Sequence, residues 1–431
     1  MAKRVIILFG SFVLYIMVAY GKQQPFGINL CGGEFGENYL PGTYNVHYRY
    51  PSFEDVDYFA DKGFKLVDIP FKWERIQKTP GGMIDAAELN LIDDLIAYCG
   101  QRNIKVILSM HNFGRYRWSG NDYIIGSRTI PRQYFTEVWK QISTRFKKHS
   151  NIYAYDIMSE PHHMGEFSWF ETAQQTINAI RKADSFTPIM IAGNNYADIE
   201  HWVQQSDELK YLTDPSNKII FDAHCYFDFD YSGRYRLPYE QNKVNEHIGI
   251  KRAKPFIHWL KANNKKGFIG EYGVPYNDAR WLKALDIFLQ YLNENDINGN
   301  YWAAGPMWDE AYTLSVKPRG GEDKPQMSIL TKYKFTGYYV PLSGYYATMQ
   351  PLPANTKSNV WASTELKTNN IVLKSGIILP AKTTNNAAEA ETKKSGETMP
   401  TDYWQMNKPK PKDAPEAILQ RNQIFYKPGS K

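Results

Sequence analysis

The sequence predicts an α/β protein folded as a (β/α)8 TIM barrel with a C-terminal extension and a flexible tail. Three observations carry that expectation. Short apolar, β-leaning runs recur eight times, at residues 26–31, 64–70, 104–110, 152–158, 188–192, 218–223, 267–271 and 298–303. Between them lie segments with apolar residues at helical spacing, among them 86–102, 131–149, 169–183, 251–263 and 278–293. The runs read as strands buried on both faces, the pattern of a parallel sheet covered by helices. Eight such units point to a closed barrel rather than an open doubly wound sheet. No Gly-x-Gly-x-x-Gly turn follows the first run, which weakens a dinucleotide-binding reading.

Taken in order, the chain begins with Met1-Ala2-Lys3-Arg4, an apolar run over 5–18, and Ala19-Tyr20-Gly21 before Lys22. A charged start, a short apolar stretch and small residues predict a signal peptide over 1–21, cleaved to give a secreted or periplasmic protein. The run is short for a membrane span, so no stable membrane insertion is expected; an uncleaved anchor is the alternative. Cys31 follows Asn29-Leu30, a poor match to a lipoprotein cleavage site. Residues 22–318 hold the expected barrel. An extension packing on it is expected over 319–380, with an aromatic-rich stretch at 335–346 and candidate β segments at 358–380. Residues 381–431 read as flexible tail, because 381–400 is poor in apolar residues and the end is rich in Pro and Lys.

Composition narrows the partners. The formal charge of +6 is mild and the basic residues are scattered, so no nucleic-acid partner is expected. Aromatic residues make up 15%, with 11 Trp and 31 Tyr, which suits stacking on sugar rings and equally suits a Tyr-rich core. The three cysteines, Cys31, Cys99 and Cys225, have no metal-type spacing and read as free, buried thiols. Adjacent His162 and His163 point apart and have no third ligand at helpful spacing, so no metal and no cofactor are expected. Oligomeric state is not legible.

The chemistry gathers where the strand runs end: His111-Asn112, Ser159-Glu160, Asn194-Asn195, His224 with Tyr226, Glu271 and Trp302. Barrel enzymes build their active sites at these C-terminal ends, so the side chains should converge. Two glutamates over one barrel mouth suit glycosidic bond cleavage, in which one carboxyl is protonated and the other ionised.

At these positions the sequence resembles glycoside hydrolase family 5, most closely its endo-β-1,4-glucanase (cellulase) branch. The resemblance rests on Asn29-Leu30-Cys31-Gly32-Gly33-Glu34-Phe35-Gly36, Ile69-Pro70-Phe71-Lys72-Trp73-Glu74-Arg75-Ile76-Gln77 and His111-Asn112-Phe113-Gly114-Arg115-Tyr116. It continues through Glu160-Pro161-His162, His224-Cys225-Tyr226-Phe227-Asp228, Ile269-Gly270-Glu271 and Trp302-Ala303-Ala304-Gly305-Pro306-Met307-Trp308, in the family's order over about 26–316. It implies a retaining endoglucanase acting on a β-glucan polysaccharide or oligosaccharide, with Glu160 as general acid/base and Glu271 as nucleophile. It further implies that Tyr226 orients Glu271, that His224 reaches Glu160 or the sugar, that His111 binds the sugar and that Trp302 forms a stacking floor. Asn195 is expected to donate to a sugar hydroxyl, and Trp308, Trp118 and Tyr116 are outer-subsite candidates. Asp228 and Asp230 are expected on a solvated loop.

Two positions depart from the family's pattern. Asp68 stands where the family usually has Arg, and Ser159 where it usually has Asn. An Asp near Glu271 adds like charge. Other readings therefore stay open: a glycan-binding barrel with weak or no catalysis, or a hydrolase for mannan or a bacterial exopolysaccharide.

Overall fold

The computed structural model describes residues 26–318 and 320–333. The expected signal segment, the extension beyond 333 and the tail lie outside the described residues.

Among the described residues ten strands occur in chain order: β1 (Phe26–Leu30), β2 (Leu66–Phe71), β3 (Lys105–Met110), β4 (Arg115–Trp118), β5 (Asn121–Ile124), β6 (Ile152–Asp156), β7 (Ile189–Ala192), β8 (Ile219–His224), β9 (Lys266–Tyr272) and β10 (Asn298–Ala304). Eight of them close a parallel barrel in the order β1-β10-β9-β8-β7-β6-β3-β2. All eight expected strand runs are present, and every barrel residue from Ile152 to Asp156 or from Asn298 to Ala304 is buried. Helices at Ala86–Gln101, Arg132–Phe146, Trp169–Arg181, Ile248–Ala262 and Ala279–Glu294 cover the outside. Each turns an apolar stripe inward; Phe135, Val138, Trp139, Ile142 and Phe146 form one such stripe.

Some elements were not legible. The helix Phe53–Asp61 is nine residues long and begins with a capping box, in which Ser52 accepts from the Asp55 N–H and Asp55 accepts from the Ser52 N–H. The β4–β5 hairpin, inserted after β3, pairs Tyr116 with Tyr123 and Trp118 with Asn121. Beyond the barrel, the helix Pro325–Leu330 packs back on it: Gln326 Nε2 donates to Val274 O at 3.1 Å and Thr313 O at 3.0 Å, and Tyr333 OH donates to Asp286 Oδ1 at 2.8 Å.

The barrel lumen is more polar than the apolar runs suggest. Asn29 on β1 donates to Gly270 O on β9 at 2.8 Å, a bond that passes over the intervening β10 and so crosses the interior. Asp68, Ser109, Asp156, Asp222 and Asn300 are also buried within strands. Ser109 Oγ donates to Asp156 Oδ2 at 2.6 Å. This layer lies under the catalytic end of the barrel and sets its electrostatics.

Candidate active site

Glu160 lies four residues past the end of β6, with φ near 50°. A non-glycine residue in the left-handed region is uncommon and is held there by its surroundings. Ser159 N–H donates to Met110 O at 2.8 Å just before it, and His162 Nδ1 sits 2.9 Å from Glu160 O just after it. Arg115 ties the β3 side to the same loop, donating to Phe113 O at 2.6 Å and His162 O at 3.0 Å. Glu271 is the penultimate residue of β9, and both glutamates are 2% exposed.

His224, at the end of β8, bridges the two. Its Nδ1 is 2.9 Å from Glu160 Oε1 and 3.5 Å from Glu271 Oε2. A carboxylate oxygen of each glutamate and the His224 ring nitrogen all fall within 4.8 Å of one another. Tyr226, two residues on and therefore on the same side, donates to Glu271 Oε2 at 2.6 Å. Asp222, two residues before, puts Oδ2 3.3 Å from His224 Nε2. Period-two spacing along one strand thus delivers a carboxylate, an imidazole and a phenol to one place.

Burial works against charge on His224, but Glu271, Asp222 and Glu160 around it outweigh burial and lift its pKa well above the ordinary value. The lumen carboxyls go the other way from usual. Burial, together with Asp156, Asp222 and Glu271, raises Asp68 well above the carboxylate range. Asp156 is pushed up to about 8 by burial and by Asp222. Glu34, beside the mouth, is pushed up to about 7 by burial, although it accepts from the Gly32 N–H at 2.7 Å. Asp68 is therefore held toward its neutral form within the field of Glu271, so its like charge is largely removed.

The sugar-facing candidates divide. His111 lies over Trp302 with ring centroids 5.9 Å apart and planes 15° off parallel. Trp302 Nε1 donates to Tyr312 OH at 3.2 Å, Trp308 stacks on Tyr312 at 4.2 Å, and Phe35 meets Trp308 at a near-perpendicular 81°. Asn112 spends its amide on the protein: Oδ1 accepts from the Trp73 N–H at 2.8 Å and Nδ2 donates to Glu74 Oε2 at 2.7 Å. Ser159 Oγ is buried and has no hydrogen-bond partner among the described residues. Asn195 is half-buried, in a left-handed conformation at the end of β7.

Two expectations are corrected. Tyr116 is fully buried, with its ring edge-on to Trp73 and its hydroxyl on Gln77 O, so it is core rather than subsite. Trp118 ends β4, the first strand of the hairpin. Asp228 is 1% exposed and accepts from the N–H groups of Gly233, Arg234 and Tyr235 at 3.0–3.1 Å, so it organises a turn instead of facing solvent.

Sequence reasoning missed Asp222 and Glu34. The alternation Asp222, His224, Tyr226 was the available signal for Asp222. Glu34 stands in the quoted stretch from Asn29 to Gly36 and was not singled out, because the burial that raises its pKa is not visible in the sequence. Lys72, Glu74, Asn112, Arg115 and His162, among others, line a pocket beside the loops that follow β2, β3 and β6.

Comparison with known proteins agrees with this geometry. The model for cellulase, glycosyl hydrolase family 5, matches residues 25–307. Endo-beta-1,4-glucanase B of Emericella nidulans is 33% identical over 300 residues, covering 69% of this chain and 87% of that protein. The structure of Pseudomonas stutzeri endoglucanase Cel5A in complex with cellobiose is 37% identical, with a TM-score of 0.67 over 72% of this chain and 91% of that one. The endo-beta-1,4-glucanase Xac0029 of Xanthomonas axonopodis pv. citri is 32% identical, with a TM-score of 0.67 over 72% of this chain and 98% of that one. With a matched family model over most of its barrel and a carboxylate pair at the barrel mouth, this chain belongs to glycosyl hydrolase family 5.

Proposed function

We propose that the chain is a retaining endo-β-1,4-glucanase in which Glu271 is the nucleophile and Glu160 the general acid/base. The observation that carries the reading is the spacing of the pair: carboxylate oxygens within 4.8 Å, bridged by His224. Retaining sites hold their carboxyls about 5–5.5 Å apart, whereas inverting sites leave about 6.5–9.5 Å for a water. Glu271 attacks the anomeric carbon, its orientation fixed by Tyr226, while Glu160 protonates the leaving oxygen. Glu160 then takes a proton from the water that hydrolyses the glycosyl–enzyme intermediate. Support for Glu271 comes from Tyr226 and the charged His224 in place of a cation at position 68.

The substrate is a β-1,4-glucan, in keeping with the names of the relatives. His111 and Trp302 form the sugar platform, and Trp308 extends it. Residues 22–318 form the catalytic barrel, residues 319–380 an appended extension, and residues 1–21 an export signal. No helix among the described residues is long and apolar enough to cross a membrane.

Reducing-end release from carboxymethylcellulose, β-mannan and a branched glucan tests the assignment. Wild type should release reducing ends from the β-1,4-glucan, and Glu271→Gln and Glu160→Gln should each lose at least about 10³-fold, as loss of a catalytic group typically does. Equal release by wild type and both variants would refute the roles. Release from mannan alone would move the substrate, and binding of oligosaccharide without release would favour a binding protein.

A further inference from the structure

The loop that carries Glu160 and the loop after β7 are both held in a backbone conformation that side-chain-bearing residues seldom take. Glu160 and His163 have φ of 50° and 47° in the first, and Asn195, Tyr196 and Ala197 have 54°, 68° and 53° in the second. L-residues visit the left-handed region singly, so three in succession persist only where the surroundings fix them. Both ends of this turn are tied to β8. Gly193 N–H donates to Asp222 O at 3.1 Å before it, and Ile199 N–H donates to His224 O at 3.2 Å after it. Asn194 N–H adds a bond to Ser206 Oγ at 2.9 Å. The turn is thus mounted on the strand that carries His224.

What the turn delivers is the Tyr196 ring. It stacks on His162 with centroids 3.9 Å apart and planes 15° off parallel, and His163 stands edge-on to it at 5.8 Å. The Tyr196 N–H also donates to Pro161 O at 3.4 Å. His162 in turn holds the backbone of Glu160. A carbonyl only accepts, so His162 Nδ1, 2.9 Å from Glu160 O, carries the proton and donates it. Burial and the nearby Arg115 push the His162 pKa down to about 3, so the ring stays neutral near pH 7 and keeps that arrangement. The carboxyl end of Glu160 is held by His224, whose Nδ1 is 2.9 Å from Oε1. Backbone and carboxyl of one glutamate are therefore both referred to β8, the first through Tyr196 and His162, the second through His224.

We propose that Tyr196, acting through His162, is a positioning residue for proton transfer by Glu160, which presupposes Glu160 as the general acid/base. As the glycosidic C–O bond breaks and Glu271 bonds to the anomeric carbon, the Glu160 proton passes to the leaving oxygen. Without the Tyr196 ring, the loop over 161–163 loses the face it packs on, and the Glu160 carboxyl is no longer aimed at that oxygen. Glu271 keeps Tyr226 and His224, so nucleophilic attack keeps its groups. Protonation of the leaving group is the step that suffers.

Steady-state kcat/KM on two β-cellobiosides tests this. Phenyl β-cellobioside releases a phenol with a pKa of about 10, as in Tyr, and needs the proton from a general acid. The 2,4-dinitrophenyl glycoside releases a stabilised anion that leaves without it. Tyr196→Ala should lower kcat/KM on the phenyl glycoside by on the order of 10²-fold, the usual effect of misplacing a catalytic group by about 1 Å, and on the dinitrophenyl glycoside by no more than about 3-fold. Tyr196→Phe, which keeps the stacked ring, should recover most of the loss. Circular dichroism melting checks folding; should Tyr196→Ala fail to fold, Tyr196→Gly removes the same ring at a φ that glycine adopts freely and carries the same expectation. Equal loss on both glycosides would make Tyr196 a binding or packing ring, and full activity on both would make it dispensable; either result overturns the proposal. Glu160→Gln is the control. If it shows the split between leaving groups and the Tyr196 variants do not, the positioning role alone fails. If Glu160→Gln shows no split, the acid/base assignment fails and takes the positioning role with it.

Discussion

At the residue scale, His224 is the centre on which the site turns. Its Nδ1 faces both glutamates, and Asp222 stands at its Nε2. Tyr226 supplies the other hold on Glu271. Removing its hydroxyl deletes one hydrogen bond to a charged group, worth about 1.5–3 kcal/mol. Tyr226→Phe should therefore lower kcat/KM about 10–150-fold while the buried ring keeps the chain folded; steady-state kinetics with a melting curve checks both. An unchanged kcat/KM would show that Glu271 is held by other groups. Side chains at strand ends were legible because the pleat fixes which way they point. Asp228 was not, since its solvation depends on a turn of seven residues folding back onto its own carboxylate.

At the scale of elements, the eight strands and the long helices follow from periodicity, and the loops decide the site. Arg115 binds the loop after β3 to the loop after β6, which fixes the approach to Glu160. The β4–β5 hairpin escaped notice because each strand has only four residues and gains its stability from its partner. In β9, Gly270 is required by close approach: a Cβ there would meet both Asp222 carboxylate oxygens at 2.5 Å. Gly270→Ala should push Asp222 away from His224. Overpacking of this kind costs about 1–3 kcal/mol, so the urea midpoint should fall, and kcat should fall with it. A stable variant with full kcat would mean that the lumen absorbs the methyl group and that Asp222 need not hold His224.

At the scale of the whole molecule, the polar lumen couples stability to pH. In the unfolded chain Asp and Glu ionise near pH 4. In the folded chain Asp156 keeps its proton to about 8 and Glu34 to about 7, and Asp68 is raised well above the carboxylate range by burial among other acids. The folded state thus binds more protons across this window, and stability must fall as pH rises through it. His224, raised above its ordinary value, adds to the same trend: its contribution is full below about 6.5 and is lost as pH climbs through its folded pKa. At the acid end, Asp214 opposes this. Burial raises it, but the bond to Arg181 at 2.7 Å and backbone N–H groups outweigh burial, so its stabilisation is lost as pH falls below about 4. Urea unfolding should show greatest stability near pH 5 and a decline toward pH 8, with each unit costing about 1.4 kcal/mol for a group fully out of step. Asp156→Asn should flatten the decline. Stability that rises from pH 5 to pH 8 would contradict the assignment of neutral carboxyls to the lumen.

By itself the sequence determined the barrel, its strand order and the two glutamates, because strand period and strand-end placement are local properties that the chain carries in its pattern. Only the tertiary structure decided what surrounds those glutamates. Asp68 is a neutral acid because Asp156 and Asp222, on distant strands, share its dry interior. His224 is charged because three carboxyls from β6, β8 and β9 loops and strands meet around it. Protonation state is a property of the assembled environment: desolvation and through-space charge depend on neighbours that sequence distance does not reveal.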